Sequence, residues 1–123
     1  MTATDSPAAA PSTNGGSQHR GFGVDVGGSG VKGGIVDLDT GQLIGERFKL
    51  ATPQPATPEA VSKTVAAVVR EFGWTENVGV TYPGVVTEGI VRTAANVDKA
   101  WIGVNASDFF GKELDGQSLT VLN

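Results

Sequence analysis

The sequence lacks cysteine altogether and contains a single histidine among its 123 residues. Without cysteine, neither a disulfide framework nor a thiolate metal site can form within the chain. No apolar run approaches the roughly 20 residues that a membrane-spanning helix needs, and lysine and arginine form no cluster typical of nucleic-acid binding. With a net charge of -4, the chain is expected to bind neither nucleic acid nor a membrane, so any anion site must be local.

The first 19 residues are small, polar and dotted with proline. Such a composition cannot bury enough apolar surface to offset the entropy lost on ordering. We therefore predict a disordered tail over residues 1–19 and one folded domain over residues 20–123. The tail has neither the basic start nor the apolar centre of a signal peptide, which predicts a cytoplasmic protein. His19, at its end, is expected to be solvated and not a ligand.

Glycine, in contrast, is abundant, and it is concentrated in residues 23–34, which read Gly-Val-Asp-Val-Gly-Gly-Ser-Gly-Val-Lys-Gly-Gly. Asp25 lies at the end of one apolar run, and Lys32 opens the next. The glycines between them permit a tight or positive-φ backbone whose bare N–H groups can face an anionic oxygen. A carboxylate and an ammonium on either side of such a corner predict a phosphate-binding hairpin, with the carboxylate near a phosphate-bound Mg²⁺.

Other glycine motifs fit this segment less well. Residues 28–33 satisfy the dinucleotide-binding pattern G-x-G-x-x-G, but that pattern must open a helix. The residues that come after it are mostly β-branched or glycine and favour a strand. A Walker A loop is excluded because Lys32 follows valine and precedes neither serine nor threonine. The remaining alternative is a glycine-rich hairpin that binds no ligand.

The rest of the chain alternates between strand and helix patterns. The predicted strands cover residues 21–26, 31–38, 42–50 and 77–82, a small hairpin covers 85–92, and a final buried strand covers 119–123. One helix is predicted to begin at Thr57-Pro58-Glu59 and to stop at Gly73, and a second covers residues 105–114. The order β-β-β-α-β-α-β predicts an α/β domain with a mixed sheet flanked by helices, and ligands at the carboxyl ends of strands.

At this point the chain resembles a known family. Residues 25–32 resemble the phosphate loop D-x-G-G-[TS]-x-x-K of ROK-family sugar kinases, which have the actin-like ATPase (ribonuclease H-like) fold. Tyr82-Pro83-Gly84, Asn96 with Trp101, and the terminal Thr-Val-Leu-Asn123 are similar to the family's next landmarks, in the same order. The run 21–58 more specifically resembles actinobacterial polyphosphate glucokinases. The resemblance implies the N-terminal lobe of this fold without its second lobe, and therefore a sheet with one partly bare face.

The resemblance implies roles for residues on the donor side of the site. The residues that would hold the transferred phosphoryl group and its Mg²⁺ are Asp25, Gly27, Gly28, Ser29 and Lys32, with Asp25 on the metal side. The phosphoryl donor would be polyphosphate or ATP. A polyphosphate chain would need further basic residues near Lys32, and charge alone suggests Lys49, Lys63, Arg70, Arg92 and Lys99 as candidates.

On the acceptor side, the resemblance implies that Asn96 and Asn123 hydrogen-bond the hydroxyls of glucose and that Gly84 offers its backbone to the sugar. An amide suits this role because it both donates and accepts, as a hydroxyl does. From the residues alone, Asn96 is also explained as a loop cap and Asn123 as an ordinary strand end. Trp101 is expected to belong to the core.

The family's catalytic aspartate directly follows the asparagine that matches Asn123, so the resemblance places no catalytic residue within this chain. We expect the isolated chain not to phosphorylate the 6-hydroxyl of glucose, and a full-length form to be a homodimeric polyphosphate-glucose phosphotransferase. Two alternatives stay open, an ATP-dependent ROK hexose kinase and a non-catalytic phosphate-binding fragment. A sugar-responsive repressor of this family would need an N-terminal DNA-binding domain, which residues 1–19 cannot form.

Overall fold

The described part of the chain is an α/β domain built on a mixed sheet. The computed structural model describes residues 19–114 and 116–122. Its elements are β1 (Arg20–Val26), β2 (Gly30–Asp37), β3 (Leu43–Ala51), α1 (Pro58–Glu71), β4 (Val78–Thr81), β5 (Val86–Thr87), β6 (Ile90–Val91), a 3₁₀ turn (Lys99–Trp101), α2 (Ala106–Glu113) and β7 (Leu119–Leu122). The predicted order of strands and helices is confirmed.

The sheet has the strand order β3-β2-β1-β4-β7. The first three strands form an antiparallel meander, whereas β4 is parallel to β1 and β7 is parallel to β4. The turn between β2 and β3 is closed by the Asp37 carboxylate, which accepts from the backbone N–H of Asp39 at 2.8 Å. Parallel pairing brings the carboxyl ends of β1, β4 and β7 to one edge of the sheet, where a ligand site is expected.

Helix α1 begins and ends where its sequence signals predict. The Thr57 hydroxyl caps it by accepting from the Ala60 N–H at 3.3 Å, and Pro58 occupies the first turn. Gly73, just beyond its end, has φ +62°, a conformation that glycine adopts without steric cost. The apolar stripe of the helix, with Val61, Val65 and Val68, is fully buried against the sheet.

Both helices pack on the same face of the sheet. The strand residues that point toward them are apolar and buried, as Phe22, Val24 and Val80 illustrate. Gly33 lies directly beneath α1, because a β-carbon there would lie 2.5 Å from Val68 Cγ1. The missing side chain allows α1 to approach the sheet closely.

The opposite face of the sheet is open over the described residues. Gly34, Gly23 and Gly79 stand in register across three neighbouring strands and form the floor of a groove of about 320 Å³. The predicted bare face is therefore present. The prediction that the last strand is buried is wrong, because β7 is an edge strand and its Leu122 is 53% exposed.

The segment between β4 and β7 adds a small second layer around Trp101. The turn of the β5–β6 hairpin lies at Glu88 and Gly89, both with positive φ. Trp101 is completely buried between Tyr82 and Phe110, at ring-centroid distances of 5.1 and 5.5 Å, and its Nε1–H donates to the carbonyl of Ala56. The predicted core role of Trp101 is confirmed.

No helix among the described residues is long and apolar enough to cross a membrane. Residues 1–18 lie outside the described part of the chain, so the predicted tail and its boundary stay predictions. His19 is exposed, and its Nδ1–H donates to Asp39 Oδ1 at 2.9 Å.

The close contact of α1 with β2 predicts that Gly33→Ala destabilises the fold by about 1–3 kcal/mol, because the added methyl group overpacks the core. Gly23→Ala is the matched control, because a β-carbon at Gly23 meets only Val36 Cγ2 at 3.9 Å. Urea unfolding followed by circular dichroism measures both variants. Equal destabilisation by the two substitutions would contradict the described packing.

The contact between His19 and Asp39 predicts a pH dependence. The hydrogen bond to Asp39, together with the negative charge of its carboxylate, raises the pKa of His19 above the usual 6.5. A raised pKa in the folded state means that the contact stabilises the fold at low pH and that this contribution is lost as pH rises through the folded-state pKa. Because the chain has one histidine, NMR titration of its single imidazole signal measures this pKa. We expect Asp39→Asn to lower it and Glu46→Gln, a control, to leave it unchanged.

Candidate functional site

Polar side chains form a row across the open face of the sheet, two positions from the glycine corner (residues 27–30) on β1 and β2. Lys49 pairs with Lys32, Lys32 pairs with Asp25, and Asp25 pairs with Thr81 in the registers of four neighbouring strands. Cross-strand neighbours have β-carbons about 4.5–5.5 Å apart. The structure therefore brings Asp25 and Lys32 together as predicted, and it adds Lys49 and Thr81 to them.

The Asp25 carboxylate is exposed but held in place. Thr81 Oγ1–H donates to Asp25 Oδ1 at 2.8 Å. Sequence reasoning missed Thr81, because its contact with Asp25 depends on the parallel register of β1 and β4, which no local pattern specifies. The hydroxyl orients the carboxylate while solvent reaches its surface.

The glycine corner is a tight turn between β1 and β2. The Gly27 N–H donates to the Gly30 carbonyl at 2.9 Å, and no glycine of residues 27–30 has a positive φ. Among the described residues, the N–H groups of Gly28 and Ser29 meet no acceptor. These two donors, beside Lys32, are suited to an anionic oxygen.

The carbonyl groups of the corner are turned toward the segment that comes after β3. Thr52 Oγ1–H donates to the Gly27 carbonyl at 2.6 Å, and the Thr52 N–H donates to the Ser29 carbonyl at 3.2 Å. Gln54 Nε2–H donates to the Gly28 carbonyl at 3.2 Å. These bonds hold negative carbonyl dipoles away from the anion side of the corner. Thr52 and Gln54 lie in a proline-broken loop, whose sequence gives no sign of this contact.

Asn96 lies directly against the glycine corner. A β-carbon built on Gly28 would lie 2.9 Å from the Asn96 carbonyl oxygen and 3.1 Å from its Cβ. Gly28 is therefore required for close approach and not for a positive φ. The contact brings a residue predicted for the sugar side to the residues predicted for the phosphate side.

Gly84 is enclosed by its neighbours beyond the carboxyl end of β4. A β-carbon there would lie 2.7 Å from the Tyr82 ring and 2.8 Å from the Thr93 carbonyl oxygen. The Tyr82 hydroxyl donates to that carbonyl at 3.0 Å, and burial raises the pKa of Tyr82 to about 12, so the phenol keeps its proton at neutral pH. Asn123 lies outside the described residues. Its neighbour Leu122 pairs with Thr81, at the end of the polar row.

Two other acidic residues have structural contacts. The Asp98 carboxylate caps the 3₁₀ turn by accepting from the Ala100 N–H at 2.8 Å, and Asp37 closes the β2–β3 turn. Within residues 19–114 and 116–122, no group of three or more histidine, aspartate or glutamate side chains could hold a metal ion. A single carboxylate such as that of Asp25 is consistent with Mg²⁺ binding in phosphate complexes, because water and phosphate supply the other oxygen ligands there.

Known proteins are similar to this chain over most of its length. A polyphosphate glucokinase of Mycobacterium tuberculosis is 73% identical over 106 residues, which are 86% of this chain and 40% of that protein. A polyphosphate glucokinase of Mycobacterium leprae is 62% identical and covers 100% of this chain and 40% of its own length. No family model matches the chain. The chain thus spans about 40% of the length of the curated relatives it matches.

Solved structures of sugar kinases are similar to this chain in fold. The inorganic polyphosphate/ATP-glucomannokinase of Arthrobacter sp. strain KM has a TM-score of 0.81 and 45% identity over 86% of this chain and 44% of that chain. A ROK family glucokinase of Streptomyces griseus, solved with glucose and AMPPNP, has a TM-score of 0.69 and 31% identity over 83% of this chain and 32% of that chain. The predicted resemblance to ROK-family sugar kinases and the predicted α/β fold of their N-terminal lobe are confirmed.

The contacts of the glycine corner predict that Thr52→Val destabilises the fold by about 1–3 kcal/mol, because the Gly27 carbonyl loses its partner in a partly buried setting. Thr52→Ser is the control, because it keeps the hydroxyl and removes only a methyl group, worth about 0.8 kcal/mol. Thermal unfolding of both variants measures the difference. Serine and valine variants of equal stability would show that the hydroxyl does not hold the corner.

Proposed function

This chain is similar in sequence and fold to the N-terminal portion of ROK-family polyphosphate glucokinases, and on that premise we propose that it holds the phosphoryl donor and part of the glucose site of such an enzyme. The reaction is transfer of a phosphoryl group from polyphosphate to the 6-hydroxyl of glucose. The observation that carries the proposal is the meeting of Asp25, Lys32, Asn96 and the two N–H donors of the glycine corner at one place.

The corner supplies the electrostatic part of phosphoryl transfer. The Gly28 and Ser29 N–H groups donate to oxygens of the terminal phosphate, and the Lys32 ammonium balances its negative charge. Phosphoryl transfer needs little covalent chemistry from the protein, because positioning and charge stabilisation supply most of the catalysis. Fixed backbone donors and a lysine therefore match what this reaction asks of the donor side.

Asp25 is the residue that would hold Mg²⁺. Its carboxylate is exposed, has one oxygen oriented by Thr81, and stands next to the phosphate donors of the corner. When bound, the ion would neutralise charge that develops on the transferred phosphoryl group. A carboxylate committed to a cation is a poor proton acceptor, so Asp25 is not assigned as the base that takes the proton of the sugar hydroxyl.

Asn96 begins the acceptor side. Its contact with Gly28 fixes the distance between sugar and phosphate, and its amide both donates to and accepts from hydroxyl groups. Gly84 and Asn123 are proposed as further glucose contacts. We assign no catalytic residue in this chain and propose that it is inactive alone. The homodimer and the cytoplasmic location of the full-length form stay predictions.

A second candidate is an ATP-dependent ROK hexose kinase. The similarity to the Streptomyces griseus glucokinase, whose structure contains AMPPNP, supports this candidate. The higher identity to polyphosphate glucokinases and to the polyphosphate/ATP-glucomannokinase favours polyphosphate as a donor. The two candidates share the phosphate corner and differ only in the part of the donor that lies beyond the transferred phosphate.

The test uses a full-length kinase that carries this segment, with glucose 6-phosphate formation measured for polyphosphate and for ATP. We expect turnover with polyphosphate and a loss of roughly 10²-fold in kcat/KM for Lys32→Ala and for Asp25→Asn, as for other removed charge-stabilising groups. Lys63→Ala, on the exposed side of α1, is the control. Turnover with ATP alone would favour the second candidate, and unchanged activity of both site variants would refute the proposed site.

A further inference from the structure

We propose that Lys49 and Arg47 extend the phosphate corner into a cationic strip that binds the donor's phosphates beyond the transferred one. The inference rests on the proposed function, because it assumes that phosphate binds at the corner beside Lys32. It adds a direction for a linear polyphosphate, outward from the corner along β3. Neither the predicted site residues nor the polar row explains Arg47.

The first observation is the position of the Lys49 side chain. A β-carbon built on Gly30 would lie 2.5 Å from Lys49 Cε and 3.3 Å from its Nζ. The aliphatic stem of Lys49 thus lies on the bare backbone of Gly30, and its ammonium is carried to the edge of the glycine corner. Any residue larger than glycine at position 30 would displace it.

The second observation is a pair of like charges. Lys49 and Lys32 stand directly opposite each other on β3 and β2. Like charges directly opposite each other on neighbouring strands repel and destabilise the pairing. No acidic side chain forms an ion pair with either lysine among the described residues, although Asp25 stands beside Lys32 in register. A polyanion that contacts both ammonium groups removes the repulsion.

The third observation is the position of Arg47. Alternate residues of a strand share a face, so Arg47 lies on the same open face as Lys49, and its Cγ lies 3.7 Å from the β-carbon position of Gly34. Toward the start of β3, the pairing of β2 with β3 shifts between Gly33 and Ile35, and Gly45 has φ +76°. Arg47 lines the same groove as Asp25 and Lys32. With a strand spacing of about 4.8 Å and a rise of about 3.3 Å per residue, the backbone path from Lys32 through Lys49 to Arg47 is roughly 11 Å long.

The other candidate cations are placed elsewhere. Lys63 and Arg70 belong to α1, which packs on the opposite face, and the Arg70 guanidinium donates to the Glu113 carbonyl at 2.7 Å. Arg92 Nε–H donates to Thr87 Oγ1 at 2.7 Å, and Lys99 lies in the 3₁₀ turn. The strip is therefore specific to β3, and guanidinium and ammonium groups in sequence suit a repeating chain of phosphates.

The test is calorimetric binding of sodium tripolyphosphate and of long-chain sodium polyphosphate to this chain. Lys49→Met keeps the aliphatic stem over Gly30 and removes the charge. We expect it to lower the affinity for both ligands roughly tenfold, because one charge-assisted contact is lost. Lys49→Arg keeps the positive charge and is expected to bind both ligands as the parent chain does. Arg47→Met is expected to lower the affinity for long-chain polyphosphate about fivefold and the affinity for tripolyphosphate less than about twofold, because the shorter ligand ends before Arg47.

Lys63→Met is the matched control and is expected to bind as the parent chain does. Circular dichroism of each variant verifies that the fold is retained. If Lys32→Met weakens binding but Lys49→Met and Arg47→Met behave like the control, the strip is refuted and the proposed phosphate corner stands. If Lys32→Met also binds like the control, the proposed function fails at the corner itself. An equal effect of Arg47→Met on both ligands would refute the outward direction.

Discussion

The arrangement of this domain depends on close approach of groups to bare backbone. At Gly33 the approaching group is the Val68 side chain of α1, at Gly28 it is Asn96, and at Gly30 it is the stem of Lys49. In each case a β-carbon would lie within about 3 Å of its neighbour, closer than packed atoms tolerate. One constraint therefore joins helix to sheet, Asn96 to the glycine corner, and the Lys49 side chain to the same corner.

The two faces of the sheet use glycine in different ways. On the covered face, Gly33 gives space to a helix within an otherwise apolar layer of valine and phenylalanine. On the open face, Gly34, Gly23 and Gly79 leave a smooth floor from which Asp25, Lys32 and Arg47 rise at the edges. No apolar layer covers these charged residues in the described part of the chain, so they stay hydrated and the free-energy cost of desolvating their charges is low.

Local signals predict much of this fold and part of the site. The cap at Thr57 and the stop at Gly73 are each decided by neighbouring residues, and each is found where the sequence places it. The contacts of Thr81 and Lys49 are decided by register between strands that are distant in sequence, so no local pattern specifies them. The apolar residues of the last strand predict burial, but composition does not say how many faces of a strand are covered.

The bonds from Thr52 and Gln54 to the corner have a consequence for the energetics of anion binding. Because three carbonyl groups of the corner are already engaged, the orientation of its N–H dipoles is held by contacts within the fold itself. The reorganisation free energy of the loop is then part of the folding free energy and not of the binding free energy. Thr52 and Gln54 belong to the segment that leads into α1. The orientation of the corner's peptide dipoles therefore depends on where that helix begins.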